Sequence, residues 1–492
     1  MTKSFVEREL KFDVDPGFAV PELDELLPPG GRVESTSEHL RSDYFDTADH
    51  ALLQAQMTLR RRTGTTDAGW QLKIPHAPFR EEIHSELGSD GEAVPEDLRR
   101  LLFGAAGGQE LAPIASVITE RAVTRLVDAD GRRLAEIDDD TVHASASGDR
   151  VATVSMWREV EVELGDDEVE LLYALGKRLR RAGARRSSSS SKLARALPAA
   201  PGPTKKKRKS GPRAGDVIRD YSAEQRLVML AGDLALRRGD DTVIHKTRVA
   251  TRRLRTTLRV FGRLFDPDRS TELDGELRWY AALLGDVRDG QVLQRRLDAM
   301  VADLDDTVRL GPVQARIDSE LRRAHTEHWQ RLQTELTSDR YLALLASVTA
   351  WVRQPPSTPA ARRPAETLKK MVQRAEQKVS RKLRRANATG DVHLLHQARK
   401  SAKRARYSAE AAQPVIGKKR AKSEAKRYRK LQDLLGEHQD SIVSAELLRR
   451  LGAKAGPIKG ENGFAFGILH EREEHNARTA RTKARKTAKR YA

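Results

Sequence analysis

Residues 4–14 read SFVERELKFDV, and the order of charged and apolar residues there decides how the first part of the chain folds. Glu7, Glu9 and Lys11 occupy alternate positions, so in a β-strand all three side chains point to one face. Taken alone, the triplet is an exposed amphipathic strand. Working outward, the same alternation returns at Arg60 and Arg62, Gln71 and Lys73, Arg80 and Glu82, and Arg121 and Arg125. It returns again at Glu136, Asp138 and Asp140, and at Glu159, Glu161 and Glu163. Ala135 with Ile137 and Val160 with Val162 take the opposite parity. The spacing predicts strands over 4–14, 57–64, 70–74, 117–127, 134–142 and 154–164, and helices over 95–103 and 167–182. A face of mixed charge on strand after strand is costly if packed dry and purposeless if merely wet. A closed barrel with a water-filled interior that takes a metal-bound polyanion accounts for it.

At 492 residues the chain calls for two or more cores. It has no cysteine, so a metal must be held by carboxylates or histidines, which points to a hard cation. Residues 1–200 carry 26 Lys/Arg against 36 Asp/Glu, net −10, and residues 201–492 carry 64 against 35, net +29, together the +19 of the chain. The division suggests a metal-binding part followed by a part that collects polyanions. No apolar leader opens the sequence and no run approaches the ~20 apolar residues of a membrane span, so a cytoplasmic, membrane-free protein is expected. Pro, Gly and a lysine run break the pattern at 198–215, which predicts domains at 1–198 and 213–492 joined by a basic linker at 199–212. The run from Lys205 to Lys209 has the composition of a nuclear-import signal, but a solvated linker is the preferred reading. A second break at 354–364 divides the basic part into halves at 213–353 and 365–492.

Those halves are helical by period and repeat one another. His245-Lys-Thr-Arg248 and His396-Gln-Ala-Arg399 stand 151 residues apart, and so do Leu283-Leu284-Gly285-Asp286 and Leu434-Leu435-Gly436-Glu437. His245, Arg248, Arg252, Arg255 and Arg259 follow at helical spacings of three and four, as do His396, Arg399, Lys403 and Arg406. One such stripe is ordinarily a solvated face; the same stripe in two copies points to a bound anion.

Glu7-Arg-Glu9-Leu-Lys11 matches the ExExK signature. With Tyr44-Phe45-Asp46-Thr47, Leu59-Arg60-Arg61-Arg62, Trp70-Gln71-Leu72-Lys73, Arg121, Glu159-Val-Glu161-Val-Glu163 and Ser191-Lys192 in order, residues 1–198 resemble the CYTH, or triphosphate tunnel metalloenzyme, superfamily. The resemblance implies an eight-stranded antiparallel tunnel that hydrolyses a triphosphate with Mg²⁺ or Mn²⁺. It implies metal ligation by Glu7, Glu9, Glu161 and Glu163, and phosphate binding by Lys11, Arg60, Arg62, Lys73, Arg121 and Lys192. Glu159, Asp140 and Lys11 are then the candidate catalytic groups, though parity does not choose among Glu136, Asp138 and Asp140. Residues 213–492 resemble the CHAD helical module through the two histidine blocks, the Leu-Leu-Gly blocks, Asp289 and Asp440, with Gln439 departing from the Arg288 of the first copy. This implies a pair of four-helix bundles related by a pseudo-twofold axis, with inorganic polyphosphate bound by His245, Arg248, Arg252, Arg255, Arg259, His396, Arg399, Lys403 and Arg406.

The expectation is an α+β multidomain chain, an inorganic triphosphatase tethered to a polyphosphate-binding domain, with ATP as a further candidate substrate and polyphosphate granules as a candidate location. The alternatives are a non-catalytic polyphosphate-binding protein and a tunnel of the class IV adenylyl cyclase or thiamine triphosphatase kind. The +29 of the second part would suit nucleic acid, but an aromatic content of 5% and the lack of a stacking pattern argue against it.

Overall fold

The computed structural model describes residues 3–64, 68–76, 79–87, 93–146, 153–165, 168–189, 191–197, 211–389, 391–456 and 460–489. The chain divides into two compact units, Met1–Lys205 and Lys206–Ala492. The linker expected at 199–212 lies outside the described residues as far as 210. Among the described residues no helix is long and apolar enough to cross a membrane.

The first unit is one antiparallel sheet of β1 (Lys3–Glu7), β2 (Glu9–Asp13), β3 (Arg32–Asp46), β4 (Thr58–Thr63), β5 (Gly69–His76), β6 (Phe79–Ser85), β7 (Ala112–Val127), β8 (Arg133–Ala146), β9 (Thr153–Leu164) and β10 (Arg185–Arg186). Their order is β1-β6-β5-β4-β3-β7-β8-β9-β2-β10. Ten strands therefore stand where eight were expected. The first run is divided at Arg8: Glu7 pairs with Arg80 of β6, while Glu9 pairs with Glu163 of β9. That exchange of neighbours within one run brings the ends of the sheet together. The tenth strand is a two-residue addition, pairing Arg185 with Asp13 and Arg186 with Phe12.

The outward parity of β2, β8 and β9 is apolar. Leu10, Phe12, Ile137, Val160 and Val162 pack on Leu172, Leu175 and Leu179 of a helix that covers the sheet. With α1 (Ala51–Gln54) and α2 (Glu96–Leu102) placed before it in the chain, that helix is α3 (Val169–Arg181). A fourth helix, α4 (Lys192–Ala196), closes the interior at one end. On β8 the inward parity passes from Glu136, Asp138 and Asp140 to Val142, Ala144 and Ala146, and these last three share a core with Leu193 and Ala196 of α4.

The second unit consists of α5 (Ala214–Arg237), α6 (Ile244–Val260), α7 (Pro267–Ala302), α8 (Val313–Glu335), α9 (Asp339–Arg353), α10 (Thr367–Thr389), α11 (Val392–Ala411), α12 (Gln413–Ile416), α13 (Lys418–Ala455) and α14 (Phe464–Lys489). Asp266 starts α7 by accepting from the Asp268 and Arg269 amides, with Pro267 in the first turn. The repeat is carried into the burial pattern: Ile244, Thr247, Ala250, Thr251 and Leu254 of α6 are buried, and so are Leu395, Ala398, Ser401, Ala402 and Ala405 of α11, each 151 residues on. The two halves do not keep wholly separate cores. α7 and α13, 36 and 38 residues long, reach about 54 and 57 Å and outrun the shorter α6 and α11. Their far ends join α8 and α14 in one core, with Leu297, Val301, Ile317 and Leu321 against Leu448, Leu451, Phe466 and Leu469. The two halves thus share part of their interior.

α5 and α6 meet at Gly232, where a Cβ would stand 2.1 Å from Thr247 Oγ1 and 3.0 Å from its Cβ. Gly232→Ala gains up to about 1 kcal/mol of helix propensity and meets about 1–3 kcal/mol of overpacking. The expected result is a lower denaturant midpoint for the helical unit; an unchanged or higher midpoint would show that this contact yields freely.

Candidate functional sites

The barrel interior holds a cavity of about 480 Å³ walled by Glu7, Arg60, Arg62, Lys73, Glu82, Arg121, Asp138, Glu161 and Glu163, among others. Toward its α4 end the charges pair off. Ser191 Oγ accepts from the Ala194 amide and fixes the first turn of α4, which places Lys192. Lys192 Nζ stands 2.9 Å from Asp140 Oδ2, 2.8 Å from Glu159 Oε1 and 2.7 Å from Glu161 Oε1. Lys11 donates to Glu161 at 2.8 Å, and Arg121 grips Asp140 through Nε and Nη2 at 2.7 and 2.8 Å. Trp157 Nε1 donates to Glu159 Oε2 at 2.6 Å, and Arg195 lies over the indole, 4.9 Å from its ring centre. Burial works against the charge on Lys192, but Asp140, Glu161 and Glu159 outweigh it and hold its pKa well above the ordinary lysine value. Burial likewise opposes ionisation of Glu161, yet Lys11, Lys192 and Arg121 hold it well below the usual carboxylate range. Asp140, Glu159 and Glu161 have oxygens within 4.8 Å of one another and could hold a metal ion. In this arrangement the Lys192 ammonium already occupies that role.

The rest of the cavity wall is short of positive charge. Lys73 donates to Glu7 Oε1 at 2.5 Å and lies 3.2 Å from Glu82, while Glu7 Oε2 and Asp138 Oδ1 are buried without a hydrogen-bond partner. Burial, with Glu9 and Glu82 beside it and Lys73 only partly offsetting, raises the Glu7 pKa. Burial and then Glu7 push Glu163 up to about 7. Burial, reinforced by Asp140, Glu136 and Glu161 and only partly offset by Arg121, pushes Asp138 up to about 8. Carboxylates held partly uncharged around unpartnered oxygens are what a hard divalent cation would relieve. On the cationic side, burial, then Arg60 and Arg121, push Arg62 down to about 10, with Glu82 and Tyr44 only partly offsetting them.

In the helical unit the two stripes meet where α6 packs on α11. Arg255 and Arg259 are tied to Asp274 at 3.1 and 2.6 Å, and Arg406 to Glu410 at 3.1 Å. Of the remainder, Arg248 alone has a carboxylate partner among the described residues. Arg252 Nε and Arg399 Nε are buried without a partner, and among the described residues no carboxylate lies within ion-pair distance of Lys403. Burial, then Arg399, Arg252 and Arg248, push Lys403 down to about 7. Arg248, paired with Asp289 at 2.8 Å, lies over Gly285, and Arg399 lies over Gly436. A Cβ at those glycines would stand 3.0 and 2.9 Å from the guanidinium nitrogens, which gives the repeated Leu-Leu-Gly its physical reason.

Two families match the chain: CYTH domain over residues 6–197 and CHAD domain over residues 221–449. An uncharacterized protein of Mycobacterium tuberculosis is 35% identical over 499 residues, spanning 97% of this chain and 94% of its own length. This chain belongs to the CYTH–CHAD family. Human thiamine-triphosphatase is 32% identical over 141 residues, which are 26% of this chain and 57% of that one. Among solved structures, PptA from Streptomyces chartreusis aligns with a TM-score of 0.48 and 22% identity, over 56% of this chain and 99% of its own.

Within the CYTH unit the residues singled out from the sequence fall into two groups. Glu7, Arg60, Arg62, Lys73, Arg121, Glu161 and Glu163 line the cavity. Glu9, Lys11, Asp140, Glu159 and Lys192 form ion pairs off its wall, Asp140 and Glu159 with 0% and 3% exposure. The three acids of β8 differ in their partners: Glu136 is held by Arg125, Asp140 by Arg121 and Lys192, and Asp138 by Arg121 through one oxygen at 2.5 Å, its other oxygen buried without a hydrogen-bond partner. Glu82, which pairs with Lys73 and His84, was passed over because β6 carries charges on both parities. In the CHAD unit, Asp274 is the missed partner that removes Arg255 and Arg259 from the free stripe.

Lys192→Ala strips three buried carboxylates of their shared cation and is expected to cost the CYTH unit about 3–5 kcal/mol. Mg²⁺ or Mn²⁺ should restore part of that loss in thermal unfolding, and a variant indifferent to both ions would rule out the trio as a latent cation site. Asp138 gives a pH test. Folded, it keeps its proton to about pH 8 against an ordinary 3.8, so the folded state binds more protons across that window and stability falls as pH rises from about 4 to about 8. Asp138→Asn should flatten the decline in melting temperature between pH about 5 and about 8 in metal-free protein; an unaltered slope would assign the decline to other groups.

Proposed function

We propose that the CYTH unit hydrolyses inorganic tripolyphosphate with Mg²⁺ or Mn²⁺, and that the CHAD unit binds inorganic polyphosphate and delivers it or anchors the enzyme to it, in the cytoplasm and at polyphosphate granules. The cavity wall carries the first part of the reading. Cations at Arg60, Arg62, Lys73 and Arg121 are interleaved with acids at Glu7, Asp138 and Glu163, Lys73 against Glu7 and Arg121 against Asp138, and Phe5 is the only apolar side chain among the described lining residues. A nucleobase or a thiamine ring needs an apolar or stacking surface, whereas a bare phosphate chain needs charge alone. That favours tripolyphosphate over ATP and over thiamine triphosphate, the compound in the human relative's name.

Glu7, Glu9, Glu161 and Glu163 would hold the divalent ion, which when bound supplies Lewis-acid neutralisation of phosphate charge. Arg60, Arg62, Lys73 and Arg121 bind the phosphoryl oxygens and align the chain. Lys11 and Lys192 keep the carboxylates beneath the cavity ionised and in place. In its ionised form, the minority below about pH 8, Asp138 offers its free oxygen to the proton of the attacking water as the new P–O bond forms and the bridging P–O bond breaks toward pyrophosphate, so turnover should rise as pH approaches 8. In the CHAD unit, Arg248, Arg252, Arg399 and Lys403 converge with too few acids, which suits a repeating anion. Tethering the two units raises the concentration of chain ends near the tunnel.

Phosphate release from tripolyphosphate, ATP, thiamine triphosphate and long-chain polyphosphate, with and without Mg²⁺ or Mn²⁺, tests the reading. Metal-dependent turnover should be highest on tripolyphosphate and should fall by about 100-fold or more in Glu7→Ala/Glu9→Ala, the scale seen when an electrostatic element of an active site is removed. No turnover of any of the four, with polyphosphate still bound, would make the chain a binding protein.

A further inference from the structure

The two CHAD repeats are not equivalent along α7 and α13. Arg288 and Arg295 of α7 have Gln439 and Glu446 at the matching positions of α13, each 151 residues on, and Glu446 is itself paired with Arg449 at 2.7 Å. In the first repeat, α7, α8 and the turn before α6 enclose a cavity of about 740 Å³ whose wall includes Arg288, Arg295 and Arg322. Among the described residues none of these three has a carboxylate within ion-pair distance. Three acids share the wall, but amides engage them. Gln291 donates to Asp241 at 2.9 Å, and Gln294 and Gln314 each donate to both Asp298 and Asp318 at 2.7–2.8 Å. Arg288 and Arg295 each donate to Gln291, to its side-chain and backbone oxygens at 3.1 Å, so the arginines meet neutral oxygens and keep donors for an anion.

His245 stands in the first turn of α6, just after Asp241 and Thr242 of the cavity wall and three residues before Arg248 of the crossing. Its pKa is lowered by burial and then by Arg288, Arg252, Arg248 and Arg295, two of the crossing and two of the cavity. His396 has no such link: after burial its neighbours are Lys400, Arg399, Lys403 and His393, all on α11.

We infer that a bound chain-type polyanion, inorganic polyphosphate on the reading above, leaves the crossing past His245 and continues over α7 into the Arg288–Arg295–Arg322 cavity of the first repeat, with no matching arm over α13. The inference rests on polyphosphate binding at the crossing, and it gives a pseudo-symmetric site a direction. A short chain occupies the crossing alone; a long one gains the arm.

The test is binding of polyphosphate fractions of graded length to the full chain, as a function of salt. Arg288→Gln/Arg295→Glu converts the arm to the residues of the second repeat, and Arg99→Gln/Arg100→Glu, on an exposed helix of the CYTH unit, controls for the same change in net charge. Long chains should bind the arm variant about tenfold more weakly, with a salt slope shallower by about two, one for each lost phosphate contact, while short chains bind it as they bind wild type. Gln439→Arg/Glu446→Arg should strengthen long-chain binding by building the second arm. Equal loss for short and long chains, or wild-type behaviour of the arm variant, overturns the arm and leaves binding at the crossing intact. Arg252→Gln weakening every length separates the two cases, and a wild type that binds no fraction removes the crossing and the arm together.

Discussion

An ammonium within 2.9 Å of three buried carboxylates is the contact on which the closed end of the barrel rests. A barrel whose inward parity is charged on nearly every strand cannot collapse around an apolar centre, so its interior must be neutral in sum or open to water. Lys192 resolves this at the α4 end. One side chain, delivered by a five-residue helix after a serine cap, compensates acids from both β8 and β9. α4 also supplies Leu193 and Ala196, which fill the interior where the parity turns apolar. Closure and charge compensation therefore arrive on the same turn of helix. The remaining imbalance is pushed away from α4, to the cavity around Glu7, Asp138 and Glu163.

The CHAD unit follows the opposite design. There the acids stand at the outer ends of the stripes, Asp274 on Arg255 and Arg259 and Glu410 on Arg406, and the excess of like charge is concentrated where α6 packs on α11. Such an arrangement costs stability in the absence of a ligand. It persists because the repeat fixes both helices from outside. The buried positions of α6 recur on α11, and Gly285 and Gly436 let the two guanidinium groups lie flat on neighbouring helices. Packing sets the geometry; the anion is left to supply the charge.

How much of this could be read from the residues follows the same division. Strands with apolar residues on one parity, such as β8 and β9, were visible, as were the 151-residue repeat and the cationic stripes. β3 was not: nine of its first ten residues are exposed or half-exposed on both parities, so no alternation marks it, although it lies at the middle of the sheet. β6 was marked only by Arg80 and Glu82, because Arg80, Glu81 and Glu82 run together between Phe79 and Ile83 and no apolar parity stands out. Of the candidate metal and phosphate residues, read from the sequence as one face, seven line the cavity. Parity says which side a residue points to, however, not how far along the barrel it lies, so the division into cavity wall and ion-paired floor was out of reach. The shared core at the ends of α7 and α13 leaves no mark in the repeat, which gives the register between the halves and not the length of their helices.

Parity also could not say which carboxylates carry an unmet charge, and that is where the chemistry concentrates. Asp140 and Glu159 are the more deeply buried acids, yet each is saturated by lysine or arginine, and burial alone would have chosen them. Asp138 and Glu163 share their strands and their face but lie where cations run short, and their proton affinities rise to about 8 and about 7. Two residues of spacing along one strand thus convert a structural carboxylate into one that can exchange a proton near neutral pH. The gradient is set by Lys192 at one end, so a change in how α4 seats would reach the cavity through charge without touching any cavity residue.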